Sequence, residues 1–283
     1  MKRSSMKRAE LIGNIFTYLV LTLFVFFAVI PIAWVFISSF KVGDSLYSTS
    51  FIPKQWTFDH YNTLFTDPRY PFMLWVKNTL KISVVTSIGT IILSTVCAYV
   101  FSRFRFWGRK YGLMSFLVIQ MFPGSMSMVA IYVLLNLVGL LDTHLGLALI
   151  YIGGGVPFTT WLLKGYLDSI DLSLDEAALV DGATRGQIFV KIILPLARPV
   201  LASATLFSFI GPFNDYLLAR IVITSSENKT LAVGLRDFIV GNFDQRWTQF
   251  AAGSVLTSIP ILLVFLFLER NFISGLTQGA TKA

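Results

Sequence analysis

The sequence predicts an all-α integral membrane protein: six transmembrane helices, with one long cytoplasmic loop folded as two short helices. Three observations predict it. The first is composition. Of 283 residues, 55% are hydrophobic and 13% charged, whereas a soluble domain carries about 25% charged residues. Such a chain cannot cover a water-facing surface with polar groups, so the bilayer is its expected solvent. The second is length. Leu11–Phe40, Ile82–Ser102, Tyr111–Leu141, Leu145–Leu163 and Trp247–Leu268 contain no Asp, Glu, Lys or Arg, and a spanning helix needs roughly 20 mostly apolar residues. Pro199–Ala219 is a sixth candidate, with Asp215 near its end. The third is charge. With the N-terminus inside, segments 1–10, 103–110, 164–198 and 269–283 lie inside and hold 14 of the 23 Lys and Arg; the longer outside segments hold nine. This is the positive-inside bias, and it places both termini in the cytoplasm. The net charge of +8 then suits anionic lipid headgroups rather than nucleic acid.

The expected spans are about 11–40, 82–102, 111–137, 145–163, 199–219 and 250–268, forming one transmembrane domain over 1–283. The first span is longer than the roughly 7–15 residues of a signal-peptide core, and no small-residue cleavage site follows it, so it reads as a retained anchor. The single Cys97 lies in the second apolar run and forms no disulfide within the chain. In the external segment 41–76, Pro53, Pro68 and Pro71 argue against a continuous helix. Trp56, Trp75 and the Tyr residues suit a membrane interface. Phe58–Phe65 reads as a short interfacial helix, in a segment that either connects or binds a partner. The loop 103–110 is short and basic (Arg103, Arg105, Arg109, Lys110), so spans two and three are antiparallel neighbours. Pro123-Gly124 in span three, and Gly153-Gly154-Gly155 with Pro157 in span four, mean kinks or close helix packing, or else a flexible wall along a path through the membrane.

The inside segment 164–198 carries the clearest local signals. Ser173 lies three residues before Glu176, and Thr184 three before Gln187; each pair fits a capping box at a helix start. Gly182 lies between them, where a helix ends and the chain turns. Leu194-Pro195 is the expected end of the second helix. The first helix carries Ala177, Ala178 and Leu179, the second Ile188, Phe189, Ile192 and Ile193. A helical pair with an apolar face must bury it. Either it lies on the membrane surface or it fills a groove on a partner.

At these residues the sequence resembles a family. Glu176-Ala177-Ala178, Asp181-Gly182-Ala183, Ile192 and Leu194-Pro195 match the EAA loop of ABC importer permeases, complete and at the family spacing. The resemblance covers nearly the whole chain and is strongest to the carbohydrate-uptake branch, the MalG-like permeases of maltose-type systems. Thr230-Leu231-Ala232-Val233-Gly234-Leu235 and the ending Gly275–Lys282 fit that branch.

The resemblance implies a hetero-oligomer in the cytoplasmic (inner) membrane of a prokaryote: this permease, a second MalF-like permease, two ATPase subunits and an extracytoplasmic sugar-binding protein. It implies import of a carbohydrate, a maltose/maltodextrin-type oligosaccharide, by alternating access. Another sugar, a polyol or glycerol phosphate is the alternative cargo. ATP and Mg are expected in the partner ATPase and no cofactor in this chain, which shows no phosphate-cradling glycine motif. The ATPase is expected to dock on Glu176, Ala177, Ala178, Asp181, Gly182, Ala183, Ile192, Leu194 and Pro195. The Glu176 carboxylate is expected in the first turn of its helix, near the positive dipole end, facing a basic group on the ATPase. The resemblance also suggests binding-protein contacts in the external loop 220–249, at Asn228, Lys229, Asp237, Asn242 and Asp244. It suggests an ATPase contact of the tail at Thr277, Gln278 and Gly279.

Asn214 and Asp215 are the candidates for the substrate path. An ionisable group at that depth is a functional candidate, or Asp215 snorkels to the external interface. An ion-coupled secondary transporter would need more intramembrane carboxylates than Asp215. A membrane enzyme would need a catalytic cluster at one face, and none is present; no catalytic or metal-binding set is expected.

Overall fold

The computed structural model describes the backbone of residues 2–44, 51–240 and 245–280, with side chains from residue 13 to residue 271 of that set. The described chain is helical apart from one isolated bridge between Lys41 and Trp56. It divides into two compact units, Met1–Pro68 with Leu235–Leu256, and Arg69–Gly234 with Thr257–Ala283.

In the first unit, α1 (Lys2–Ser38) is a single 37-residue helix. No residue of its most apolar stretch is buried within the chain, and Phe16, Phe24, Phe26 and Phe27 are all more than half exposed. A surface of that kind must be covered by lipid or by another chain. After α1 the chain turns through Lys41, whose ammonium sits 4.4 Å from the centre of the Trp34 ring, a cation–π contact that offsets its burial. The His60 ring donates to the Lys41 carbonyl at 2.7 Å. His60 lies on α2 (Asp59–Thr66), which agrees with the short helix expected over 58–65. Phe40 collects Phe36, Trp56, Phe58 and Tyr61 around it, with centroids 5.2–6.0 Å away.

The second unit is built on α3 (Phe72–Arg103), which starts ten residues before the span expected from residue 82. The early start changes the place of Trp75. It lies in the first turn of α3 and is 1% exposed, with its ring packed inside the chain rather than on its surface. Further along, Thr79, Ser83, Thr86, Thr90 and Ser94 are buried, while Val84, Val85, Ile88, Ile92 and Val96 are exposed. The pattern is the reverse of a soluble helix. Small hydroxyl residues three and four apart let neighbouring helices approach closely, and the branched apolar face is left to lipid.

Then follow α4 (Arg109–Met121), a 3-10 turn, α5 (Met128–Leu137) and α6 (His144–Asp168). The span expected over 111–137 is broken where Pro123-Gly124 stands, with the two halves bent by 86°. A proline lacks its N–H and crowds the preceding turn. In α6, by contrast, Pro157 lies inside a continuous helix. Close packing holds at Gly155, whereas a Cβ on Gly153 or Gly154 would meet nothing within 4 Å. α3 packs along α6, Ser94 Oγ donates to the Val156 carbonyl at 3.3 Å, and a Cβ on Gly155 would meet Thr90 Cγ2 at 3.3 Å.

The two helices of the loop over 164–198 lead to α10 (Arg198–Asn214), which ends five residues before the expected span end, and to α11 (Leu217–Val222). α12 (Leu231–Arg236) and α13 (Trp247–Ala280) complete the chain. By length and composition four described helices can cross a membrane, or six if each bent pair counts as one.

Candidate functional site

The loop after α6 is assembled from local signals, one of which differs from expectation. α7 spans Leu172–Val180, and its N-cap is Asp171, whose carboxylate accepts from Ser173 N at 2.9 Å. The box expected at Ser173 and Glu176 does not form, because the aspartate two residues earlier already satisfies the Ser173 N–H. With the start moved upstream, Glu176 falls in the second turn, and the acidic residue of the first turn is Asp175. At the other end Gly182 has φ +82°, Gly182 N donates to Leu179 O at 3.0 Å and Ala183 N to Ala178 O at 2.9 Å. These two bonds define a Schellman cap, as the glycine predicted.

Thr184 then opens α8 (Arg185–Ile188) with a reciprocal box. Gln187 N donates to Thr184 Oγ1 at 3.3 Å, and Thr184 N to Gln187 Oε1 at 2.8 Å. Leu194-Pro195 does not end this helix. A π-helical stretch, Phe189–Ile193, precedes α9 (Leu194–Leu196). The wider turn removes the α-type bond that Pro195 cannot make and relieves its ring from the carbonyl four residues back. The chain bends only at Ala197, by 78° into α10.

Part of the apolar face of the pair is buried on the chain's own helices. Ile188, Ile193 and Ala197 are at most 1% exposed and pack against Ala98 and Tyr99 of α3, Leu163 and Leu167 of α6, and Val200 of α10. The Tyr99 ring lies 4.7 Å from that of Phe189, and the Tyr99 hydroxyl donates to the Arg185 carbonyl at 3.3 Å.

An ion pair that sequence reading missed completes the attachment. Arg103 Nε lies 2.6 Å from Asp175 Oδ2, with 2% and 3% of the two side chains exposed. Arg103 Nη2 also donates to Ile170 O at 3.0 Å, and Ser102 Oγ to Asp168 Oδ1 at 2.7 Å. Removing one partner of so buried a pair costs about 3–5 kcal/mol. Arg103 had read as one of four loop cations. Arg109, another of them, donates to the Phe101 and Ser102 carbonyls at 2.7 and 3.3 Å. No local pattern distinguishes these two from Arg105 and Lys110.

What remains outward is a knob. Glu176, Ala177, Asp181, Gly182 and Pro195 are exposed, and so are Leu172, Leu174, Val180 and Val190, at 44–89%. A groove of about 450 Å³ beside it is lined by Ala178, Asp181, Gly182, Ala183, Gln187, Lys191 and Ile192. The arrangement offers carboxylates, one lysine and bare apolar side chains on a rigid mount. It offers no nucleophile–base pair, and among the described residues no cluster of His, Cys, Asp and Glu that could hold a metal.

Of the other candidates, Asn214, Asp215, Asn228 and Lys229 lie in the second unit, Asp237 lies in the first, and the rest are outside the described side chains. Asn214 is exposed and Asp215 half-buried. Asp215 accepts from Tyr151 Oη at 2.6 Å and from Leu218 N and Ala219 N at 3.3 and 3.2 Å, so it caps α11 at the break after α10. Asn228 donates to the Asp142 carbonyl at 2.8 Å. Asn242 and Asp244 lie outside the described residues, Asp237 follows α12, and Thr277, Gln278 and Gly279 lie in the last turns of α13, where no side chains are described.

Asp142 organises this region. It has φ 59°, which Asp tolerates better than most residues. Its carboxylate accepts from Thr224 N, Ser225 N and Ser225 Oγ at 2.9–3.1 Å. Burial pushes its carboxyl up, but these donors and the Asn228 amide outweigh burial and hold it below the ordinary aspartate value of 3.8. A lowered folded-state value means the contribution is complete above that ordinary value and is lost as pH falls through the lower one. Amide exchange over 222–229 should therefore stay slow from neutral pH down to about pH 4. Asp142→Ala, which removes the acceptors and strains the backbone, should speed it more than tenfold at pH 7; unchanged exchange would refute this role.

Residues 90–277 match the family model described as binding-protein-dependent transport system inner membrane component. The chain is 43% identical over 280 residues to the galactooligosaccharides transport system permease protein GanQ of Bacillus subtilis (strain 168), with 99% of each covered. It is also 43% identical over 274 residues to the maltodextrin transport system permease protein MdxG of the same organism, covering 97% of this chain and 98% of that one. Among solved structures it is similar to a chain of a bacterial ABC transporter involved in the import of the acidic polysaccharide alginate. The TM-score is 0.78 at 26% identity, with 94% of this chain and 98% of that chain covered.

Proposed function

The chain belongs to the family of binding-protein-dependent transport system inner membrane components, and from this premise we propose that it is the permease subunit of an ABC importer for a neutral oligosaccharide. Its relatives named for galactooligosaccharides and for maltodextrin are equally similar to it, which supports an oligosaccharide cargo and keeps both within the class. In this reading the chain crosses the cytoplasmic membrane six times with both termini inside. It works beside a second, homologous permease, two ATPase subunits that bind ATP and Mg, and an extracytoplasmic binding protein.

The observation that carries the mechanism is the rigid knob. Its apolar inner face is anchored on α3, α6 and α10, while Glu176, Asp181 and four large apolar side chains face outward. A cleft on the ATPase takes this knob, with a basic group opposite Glu176 setting its orientation. Closure of the ATPases on ATP then moves the loop as a solid body and tilts the spans between inward and outward access.

Uptake of labelled oligosaccharide in energised vesicles tests the proposal. Depleting ATP with the ion gradients held should abolish uptake, and collapsing the gradients with ATP held should leave it intact. The opposite pattern would establish ion coupling instead.

A further inference from the structure

The helix that presents Glu176 is attached to the membrane-spanning helices at a handful of points. Of the nine residues of α7, Asp175 and Ala178 are buried, and Leu179 packs, partly buried, against the same core. Ala178 contributes one methyl group. Asp175 contributes a charge, held 2.6 Å from Arg103 with both side chains almost wholly enclosed. Arg103 is the last residue of α3. Its second contact, to the Ile170 carbonyl at 3.0 Å, fixes the connection that leads into α7.

The electrostatics of the two helices favour this pairing. Asp175 lies in the first turn of α7 and Arg103 in the last turn of α3, so each charge sits at the helix end whose dipole stabilises it. For stability alone a well-packed apolar pair would serve as well as a buried ion pair. What the ion pair adds is a charge attraction at one enclosed point: Arg103 Nε and Asp175 Oδ2 are 2.6 Å apart without hydrogen-bond alignment, and neither charge can leave the other without standing buried and uncompensated.

We infer that Arg103 and Asp175 form the linkage through which movement of the docked loop is delivered to α3. The inference rests on the docking role proposed above. Asp175 is then a positioning residue: enclosed by its own chain, it holds α7, and with it Glu176, in fixed register on the end of α3. α3 packs along α6 and α10, so a displacement of α7 is passed to three membrane helices together. Loss of the pair leaves the knob able to bind the ATPase but loosely geared to the spans.

The test uses the assembled importer with Cys97→Ser, Val100→Cys and Ser173→Cys, spin-labelled at the two introduced cysteines. Val100 on α3 and Ser173 on α7 are both exposed, and neither belongs to the docking surface proposed above. The distance between labels should be narrow and the same in the nucleotide-free, ATP-trapped and ADP states. Asp175→Asn should broaden it and raise the ATP hydrolysed per sugar imported about fivefold or more, the low end of typical coupling energies. Complex yield should hold, and Asp175→Glu should restore part of the ratio by restoring the charge. A distance that shifts between nucleotide states in the unmutated pair would overturn the inference, as would Asp175→Asn with an unaltered ratio. If Asp175→Asn does not assemble, the distance in the unmutated pair decides alone. Failure of the docking role would appear separately, as normal complex yield with Glu176→Lys, and would leave the distance result untouched.

Discussion

Replacing Glu176 by Lys is expected to reduce co-purification of the ATPase with this chain by one to two orders of magnitude. Glu176 is exposed on α7 and lies on a knob whose inner face is already committed to the chain's own helices. Nothing in the fold of the chain needs its charge, so the substitution should leave the isolated subunit's stability within about 0.5 kcal/mol, as for other surface changes. Placed against a basic group in the ATPase cleft, however, the lysine converts an attraction into a like-charge contact, which costs several kcal/mol at an interface. Yield of the complex from detergent, together with thermal unfolding of the subunit alone, separates the two effects. Full yield with the variant would exclude Glu176 from the docking surface. Glu176→Gln should fall between, since it removes the attraction without adding repulsion.

Gly234→Ala is expected to be among the most damaging single-methyl changes in the second unit. A Cβ at this position would stand 2.1–2.5 Å from three ring atoms of Trp75, and Trp75 is itself 1% exposed. A rigid indole in a filled site has nowhere to go, so α12 or the first turn of α3 must shift. Overpacking of this kind costs about 1–3 kcal/mol. The same segment is held by Thr79 Oγ1, which accepts from Leu231 N at 2.7 Å, and by Asn78, which donates to the Glu227 and Lys229 carbonyls at 2.8 and 3.0 Å; a shift would therefore loosen the segment before α12 as well. Gly153→Ala is the control. No atom lies within 4 Å of a Cβ there, and an alanine in mid-helix is favoured over glycine by roughly 0.5–1 kcal/mol. Melting of the purified subunit should fall by several degrees for Gly234→Ala and hold or rise for Gly153→Ala. Equal midpoints would show that Trp75 does not fill the space beside Gly234.

Much of the loop was legible because its signals are local. Gly182 between two apolar segments specifies a left-handed cap, and Thr184-x-x-Gln187 a box, whatever the rest of the chain does. The failure at Ser173 is also local: two residues competed to cap one helix, and the aspartate at 171, nearer the turn, took the Ser173 N–H. Pro195 failed differently. Its usual effect is to end a helix, but the π-helical stretch before it absorbed the misfit, and Ile193 at the end of that stretch is enclosed in the core.

By itself, the sequence determined the membrane class, the approximate places of the apolar helices and the two-helix loop. These follow from residue spacing and from the cost of placing charge in lipid, which act along the chain. Tertiary structure alone decided what the loop's apolar face covers, why Trp75 is enclosed, that Asp215 caps a helix with Tyr151 against it, and that Arg103 holds Asp175. Each of those depends on which helix ends meet in space. A cation at the end of one helix and a carboxylate at the start of another look like ordinary loop charges until packing removes the water between them.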